Sequence, residues 1–338
     1  MKIGIVAITA GGKKLAGELA DTLEGACLLD PQEGQKIAEI LAVAWKNFDA
    51  LICIMAAGIV VRAIAPLLRD KLHDPCVVVM DEKGRHAISL LGGHLGGGNA
   101  LANTIAEHTG GEAVITTASD TQGLVALDLW AKEQQLVADR QTLTAAAAVL
   151  VNRGELRLYA EVTVHSLPPG IIPADEAAFA DATVSSSTRF AAPAFFFRPR
   201  NLVVGIGCNR GTPAGEFEEA LSELFTELQL SRHSIRSLAS IDKKNDEPGL
   251  LQFALDNHWR IDFFTGEQIN NLSSLINLDI SQAALKAVGA IGVAEPSALL
   301  GAKNTLLLSR KRKWKNVTMA VAEAPFSLSA QVPAPSGR

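Results

Sequence analysis

The sequence predicts an α/β protein built from more than one domain. Three observations carry that prediction: apolar, β-branched runs alternate with stretches of helical spacing, glycine-rich turns fall where those runs end, and a fresh strand-and-helix unit opens near residue 201. At 338 residues the chain exceeds what one compact core usually holds, so two or three domains are expected.

Lys2 to Thr9 reads as a strand that meets Gly11-Gly12, and Lys13 to Leu23 has helical spacing. Leu51 to Met55 repeats the pattern, followed by Ala56-Ala57-Gly58 and a helical stretch from Ile59 to Leu68. Cys76 to Met80 and Ala87 to Leu91 read as two more strands, with Asp81-Glu82-Lys83-Gly84 as the hairpin turn between them. The run from Leu90 to Asn99 then places five glycines around one histidine, His94. A backbone without Cβ atoms lets a ligand approach main-chain N–H groups, and the imidazole is the one ionisable side chain there, so this loop has the look of a site. Asn99 is expected to cap a helix from Ala100 to His108, and Ala113 to Thr117 to form a short strand. Residues 1–120 therefore read as a three-layer, Rossmann-like α/β domain. Ligands of such sheets bind beyond the carboxyl ends of strands, and Gly11-Gly12, Ala57-Gly58 and the His94 loop are expected to converge at those ends.

Residues 121–200 read as a small middle domain and linker. A helical patch from Leu124 to Gln134 and an alanine run at 145–148 precede a strand candidate, Glu155 to Val164, and a stretch rich in Pro, Ala and Ser. From Asn201 a C-terminal α/β sandwich domain is expected over 201–328, with a flexible tail at 329–338. Leu202 to Ile206 is its first strand, Gly207 to Gly211 a tight loop, and Thr212-Pro213 an N-cap and first helical residue for a helix to about Leu228. Ile235 to Ile241 is a strand, 242–249 a polar loop, and a helix follows to about Asn257. Ile261 to Phe264, Thr305 to Leu308 and Val317 to Ala322 are the remaining strands; Glu295-Pro296 opens a helix, and Arg310-Lys311-Arg312-Lys313 is a basic turn.

Composition narrows the function. A net charge of −5 argues against general nucleic-acid binding. No apolar run reaches the roughly 20 residues that span a bilayer, and the N-terminus lacks a signal-peptide pattern, so no membrane partner and a cytoplasmic location are expected. Cys27, Cys53, Cys76 and Cys208 never form Cys-x-x-Cys, so neither a disulfide framework nor a zinc site is indicated; the first three read as buried small apolar residues. A serine-hydrolase elbow, a zinc-protease motif, a P-loop and a dinucleotide fingerprint are all missing from the sequence. Neither a cofactor nor a protein-bound metal is called for.

Two sets of loops, in order, carry a resemblance. The first half contributes Ala56 to Leu68, Asp74 to Glu82 and the His94 loop. The second contributes Gly205 to Thr212, Leu238 to Asp242 with Glu247 to Leu250, and Val293 to Leu300. Read together, they resemble the cobalt-precorrin-5A hydrolases of anaerobic cobalamin synthesis. Ala294 and Asn209 depart from the family pattern, which has cysteine and a basic residue there. The resemblance implies a hydrolase that opens the δ-lactone of cobalt-precorrin 5A and expels a two-carbon fragment as acetaldehyde. Its partner would be a cobalt-containing tetrapyrrole bearing many carboxylates, with a homodimer or contact with neighbouring pathway enzymes as further expectations. A non-catalytic tetrapyrrole-binding or carrier protein is the alternative.

On that reading His94 is a general acid or base at the lactone; it is otherwise a histidine that bonds its own loop, or an axial ligand of the substrate cobalt. Gly93, Gly96 and Gly97 would donate N–H groups to an oxyanion or carboxylate beside Asn99. Gly58 and Arg62 in the first half, and Gly207 and Arg210 in the second, are expected against the substrate, the arginines as carboxylate clamps; Arg62 could equally snorkel to water. Lys244 and Glu247 enter because the resemblance includes them, against the reading of a solvated loop. Asp242 is a second acid/base candidate or a turn residue. Glu295 is a catalytic carboxylate or a substitute N-cap.

Overall fold

A computed structural model describes residues 1–29, 34–71, 73–190, 195–272, 282, 285–286 and 289–330. The chain divides into two compact units, Met1–Trp130 and Ala131–Arg338. It is α/β, with a six-stranded sheet in the first unit and, among the described residues of the second, two five-stranded sheets and one two-stranded sheet.

The first sheet contains β1 (Ile3–Ala7), β2 (Ala26–Leu28), β3 (Ala50–Ile54), β4 (Cys76–Met80), β5 (His86–Leu91) and β6 (Glu112–Val114), in the spatial order β2-β1-β3-β4-β5-β6. β2, β1, β3 and β4 are parallel. Strands β1, β3 and β4 are buried along their whole length, which is why they read as unbroken apolar runs and not as alternating ones. Leu19 of helix Ala10–Thr22 and Leu101 and Ile105 of helix Gly98–Thr109 pack on Ile5, Ile52 and Val78. On the other face, Leu41 of helix Ile37–Asn47 and Val60 and Ile64 of helix Ala57–Ile64 pack on Val6, Cys53 and Val79. These are the three expected layers.

β5 turns back antiparallel to β4, with Met80 opposite Ala87 and Val77 opposite Leu91, and β6 follows β5 in parallel. The hairpin between β4 and β5 is held by Asp81, whose carboxylate accepts from the N–H groups of Lys83 (2.9 Å) and His86 (2.8 Å). Gly84 supplies the left-handed residue at φ +68°. The glycine loop after β5 therefore lies at the amino ends of β1, β3 and β4, whereas Gly11-Gly12 and Ala57-Gly58 lie at their carboxyl ends. A Cβ on Gly92 would stand 2.9 Å from the Cα of Cys76, the first residue of β4, which fixes that placement. The expected convergence of the three loops is thus not what the sheet makes.

Several local expectations shift. Gly11 and Gly12 are not a turn before the helix but its first turn, with Thr9 as N-cap accepting from the Gly12 N–H. The helix after Gly58 ends at Ile64 and tightens into a 3-10 turn, Ala65–Leu67, because Pro66 has no N–H to continue it. Asn99 is not the N-cap: Gly97 takes that place at φ +81°, and Asn99 is buried within the helix. Cys27 is exposed on β2, and burial is confined to Cys53 and Cys76, whose thiols it pushes up to about 12 and about 11.

In the second unit the stretch read as a small middle domain and linker contains a sheet. β7 (Leu136–Val137), β8 (Leu156–Ala160), β10 (Ile171–Pro173), β11 (Ala182–Val184) and β12 (Phe195–Pro199) lie in the order β10-β8-β11-β12-β7. Their short apolar cores are separated by Pro and Ser, which masks the period in the sequence. The expected strand Glu155 to Val164 is split into β8 and β9 (Thr163–Val164), and β9 pairs with β18 (Ser327–Leu328).

The third sheet holds β13 (Leu202–Cys208), β14 (Ile235–Ile241), β15 (Ile261–Phe264), β16 (Leu307–Lys313) and β17 (Val317–Glu323), in the order β15-β14-β13-β17-β16. Helices Ala214–Glu227 and Pro248–Asp256 cover one face through Phe217, Leu221, Leu224 and Phe253. Helix Ala294–Ala302 lies against the other, on Val203, Ala239, Ala320 and Ala322. Pro213 is the N-cap and not the first helical residue. The basic run is not a turn: Arg310 to Lys313 lie within β16, an edge strand, where exposed cations discourage pairing with other chains. Of the expected tail, Ser329 and Ala330 donate to Gln134 and Ser166, and 331–338 lie outside the described residues. No described helix is long and apolar enough to cross a membrane.

Helix Ala294–Ala302 approaches its sheet so closely that a Cβ on Gly205 would stand 1.9 Å from the Ala294 carbonyl oxygen. Gly205→Ala is expected to destabilise the protein by about 1–3 kcal/mol through overpacking. Gly17, inside helix Ala10–Thr22 with open space around it, is the contrast: Gly17→Ala should stabilise by about 0.4–1 kcal/mol. Urea unfolding of the two variants measures both signs.

Candidate functional site

The glycine loop folds onto itself. Gly97, Gly98 and Asn99 donate their N–H groups to the carbonyls of His94, Gly92 and Gly93, at 2.9–3.0 Å. Those three donors are therefore engaged within the loop. The glycines serve close packing: a Cβ on Gly93 would meet Asn99 Oδ1 at 2.7 Å, and one on Gly96 would meet the Gly92 carbonyl at 2.7 Å.

What the loop presents is His94, set between two carboxylates that the sequence reading did not single out. Its Nε2 lies 2.6 Å from Asp120 Oδ2, and its Nδ1 lies 3.7 Å from Asp128 Oδ1. The His94 and Asp128 side chains are each 19% exposed and that of Asp120 is 38% exposed, so the cluster is reachable but largely shielded. Asp120 Oδ2 also accepts from Asn99 Nδ2 (3.0 Å) and from the Thr117 hydroxyl. Ser119 Oγ stands 3.3 Å from His94 Nε2. Asp128 Oδ1 accepts from the Leu129 N–H at 2.9 Å. Burial works against ionisation of Asp120, but the hydrogen bonds from Thr117, His94 and Asn99, with the charge of His94, outweigh it and hold the carboxyl below its usual range.

β6 explains the meeting. Because it runs parallel to β5, the segment Thr117-Ala118-Ser119-Asp120 leaves the sheet at the same end as the His94 loop. A Thr-x-x-Asp run just past a strand was the signal available in the sequence, but it carried no meaning until the strand direction was known.

The other candidates of this unit lie elsewhere. Arg62 Nη1 folds back onto the Gly58 carbonyl of its own helix at 3.1 Å, near the carboxyl end of β3. A cleft of about 560 Å³ opens at that end, lined by Ile8, Ile54, Met55, Met80, Asp81 and Glu82 among others. Five-residue strands separate it from His94 by about 17 Å.

In the second unit, Arg210, Lys244 and Glu247 do come together on the segments after β13 and β14, while Gly207 lies within β13 and Asp242 opens the 3-10 turn after β14. Their charges are matched within the group. Arg210 lies 2.6 Å from Asp246 Oδ1 and donates to the Lys243 carbonyl at 3.0 Å. Glu247, 1% exposed, accepts from the Gly211 N–H at 2.6 Å and faces Lys244 Nζ at 3.4 Å and Arg210 at 3.8 Å. Lys244 and Glu247 are thus a buried pair and not a solvated loop. Asp242 Oδ1 is buried without a hydrogen-bond partner. Burial also lifts the neighbouring Cys208 thiol to about 11, the nearby cations opposing it only in part. A Cβ on Gly207 would press on Thr318 Oγ1 at 2.6 Å. Glu295 is not an N-cap, since Val293 holds that position; its carboxylate is buried and accepts from the Lys311 N–H at 2.9 Å, pinning β16 to the helix.

A partly shielded imidazole hydrogen-bonded to a carboxylate, set in an α/β fold, is an arrangement able to give up a proton and take one back. Comparison with known proteins gives the chain a family. Residues 39–120 match the family model Cobalamin synthesis G N-terminal, and residues 202–322 match Cobalamin synthesis G C-terminus. The chain is 35% identical to the cobalt-precorrin-5A hydrolase of Priestia megaterium, over 85% of this chain and 82% of that one. It is 33% identical to the cobalt-precorrin-5A hydrolase of Salmonella typhimurium, over 95% and 97%. It is 28% identical to a protein of Methanocaldococcus jannaschii described as a probable cobalt-precorrin-5A hydrolase, over 95% and 99%. The chain belongs to the cobalt-precorrin-5A hydrolase family.

Because the folded state holds the Asp120 carboxyl below its usual range, its charge stabilises the fold above the unfolded value of about 4. That contribution is lost as pH falls through the lower folded value. Urea midpoints of the wild type and Asp120→Asn should therefore differ at pH 7 and converge toward pH 2. A gap that stays constant over that range would mean that the charge of Asp120 does not hold the loop.

Proposed function

We propose that this chain hydrolyses the δ-lactone of cobalt-precorrin 5A and releases the two-carbon fragment as acetaldehyde, giving cobalt-precorrin 5B. The observation that carries the proposal is the His94–Asp120 pair at 2.6 Å, with Asp128 facing the other ring nitrogen. Family membership supports the substrate, and the pair supports the chemistry.

Water adds to the lactone carbonyl and the ring C–O bond breaks, so the departing oxygen needs a proton. With carboxylates on both sides, His94 is oriented to give one up and to take one back, which is the acid role of the sequence reading. The freed hydroxyl then becomes the aldehyde carbonyl as the carbon–carbon bond breaks, its electron pair remaining on the macrocycle. His94 and Asp120 are the proton-handling pair, and Thr117, Asn99 and Asp128 are positioning residues. Cobalt belongs to the substrate, and no nucleotide enters the reaction.

Anaerobic incubation with cobalt-precorrin 5A, assayed for acetaldehyde and for the mass of the macrocycle, tests the proposal. The wild type is expected to produce acetaldehyde with the matching mass loss. His94→Ala should lower turnover by about a hundredfold or more. Substrate retained unchanged by the wild type would replace this reading with that of a carrier, and near wild-type turnover in His94→Ala would remove His94 from the chemistry.

A further inference from the structure

A substrate rich in carboxylates needs a cation next to the reacting lactone, and the sequence reading nominated Arg62 and Arg210. Neither meets that need at His94. Arg62 lies at the opposite end of its sheet, and Arg210 is committed to Asp246 and the Lys243 carbonyl. The N–H groups of Gly97, Gly98 and Asn99 are engaged within their own loop. The structure instead brings Lys71 to the site. Its Nζ lies 3.9 Å from Asp128 Oδ2, the carboxylate whose other oxygen faces His94 Nδ1 at 3.7 Å.

Lys71, Asp128, His94 and Asp120 thus form a row in which basic and acidic side chains alternate. At 3.9 Å the Lys71 contact is at the outer limit of an ion pair, and its side chain is 46% exposed. An ammonium carries three donors, so it can take a second carboxylate while keeping Asp128. Asp128 is in turn fixed by the Leu129 N–H, so it does not follow the lysine away from His94. Lys71 comes from the loop before β4 and Asp128 from helix Leu127–Glu133, and both reach the amino end of the sheet, where the His94 loop also lies.

We propose that Lys71 anchors a carboxylate of the tetrapyrrole substrate beside His94. The proposal rests on the hydrolase reading for the identity of the ligand, and it concerns binding and not the chemical step. It assigns to Lys71 the clamp role expected of Arg62 and Arg210. The group recognised is a flexible carboxylate side chain on a tetrapyrrole rim, one carboxylate's width from the imidazole.

The test uses the full chain and uroporphyrin III, a metal-free tetrapyrrole with eight carboxylates, titrated by quenching of porphyrin fluorescence. Lys71→Gln is expected to weaken binding about five- to tenfold, and Lys71→Arg to restore it to within about twofold. Lys14→Gln, which removes an exposed lysine elsewhere, serves as the charge control and should bind as the wild type does. With cobalt-precorrin 5A, Lys71→Gln should raise KM by a similar factor with kcat within about twofold, a split that general damage to the fold would not give. Equal porphyrin binding by the wild type and Lys71→Gln, or no binding by the wild type, overturns the anchor. Acetaldehyde release with an unchanged KM in Lys71→Gln also overturns it and leaves the hydrolase reading standing. Porphyrin binding that depends on Lys71 in a protein releasing no acetaldehyde would remove the hydrolase and keep the anchor.

Discussion

The reversal of β5 against β4 governs where chemistry can occur in the first unit. Four parallel strands send their following segments to one end of the sheet, the usual place for a ligand in an α/β fold. The tight turn at Asp81–Gly84 sends β5 the other way, and the parallel pairing of β6 with β5 carries Asp120 after it. Two loops far apart in the chain are thereby delivered to one place, and the His94–Asp120 hydrogen bond closes the gap between them.

Around that hydrogen bond the supporting shell does separate work on the two partners. Asn99 and Thr117 converge on Asp120 Oδ2, so the carboxylate is oriented before the imidazole reaches it. Left-handed Gly92 and Gly97 and the self-bonded loop fix where His94 starts from, and a Cβ on Gly93 or Gly96 would collide with Asn99 or with the Gly92 carbonyl. A proton-transfer group gains from such fixing because little reorganisation is left to the moment of reaction. Ser119 and Asp128 complete the ring of polar groups about the imidazole.

The second unit follows a different physical logic. Its charged residues neutralise one another at close range, and burial of Lys244 with Glu247 makes that pairing obligatory, since leaving either charge alone in the interior is costly. Its helix Ala294–Ala302 is held by small residues, Gly205, Ala320 and Ala322 among them, that let backbone approach backbone. Such loops are well suited to shaping a surface and poorly suited to lending free charge to a ligand. The middle sheet joins the C-terminal sheet through the Ser185–Thr188 run, whose backbone pairs with Gln229 and Ser231, so the two sheets form one compact unit.

The sequence by itself determined the α/β class, the long strands β1, β3, β4, β13, β14 and β17, and the His94 loop, because local apolar runs and glycine clusters record those features directly. It missed β2 and the strands at 171–199, whose apolar segments are short or interrupted by Pro and Ser, and it also missed the helix Ile37–Asn47, whose apolar residues do recur at helical spacing. It identified Arg210 and Glu247 as notable residues but not as partners of each other's surroundings, since a charge in a sequence does not show what neutralises it. Only the tertiary structure decided that the His94 loop and Gly58 lie at opposite ends of the sheet, and that Asp120, Asp128 and Lys71 belong with His94. The reason is that strand direction and pairing are long-range properties: a hairpin is visible locally, but the place to which it delivers the next loop depends on every neighbouring strand.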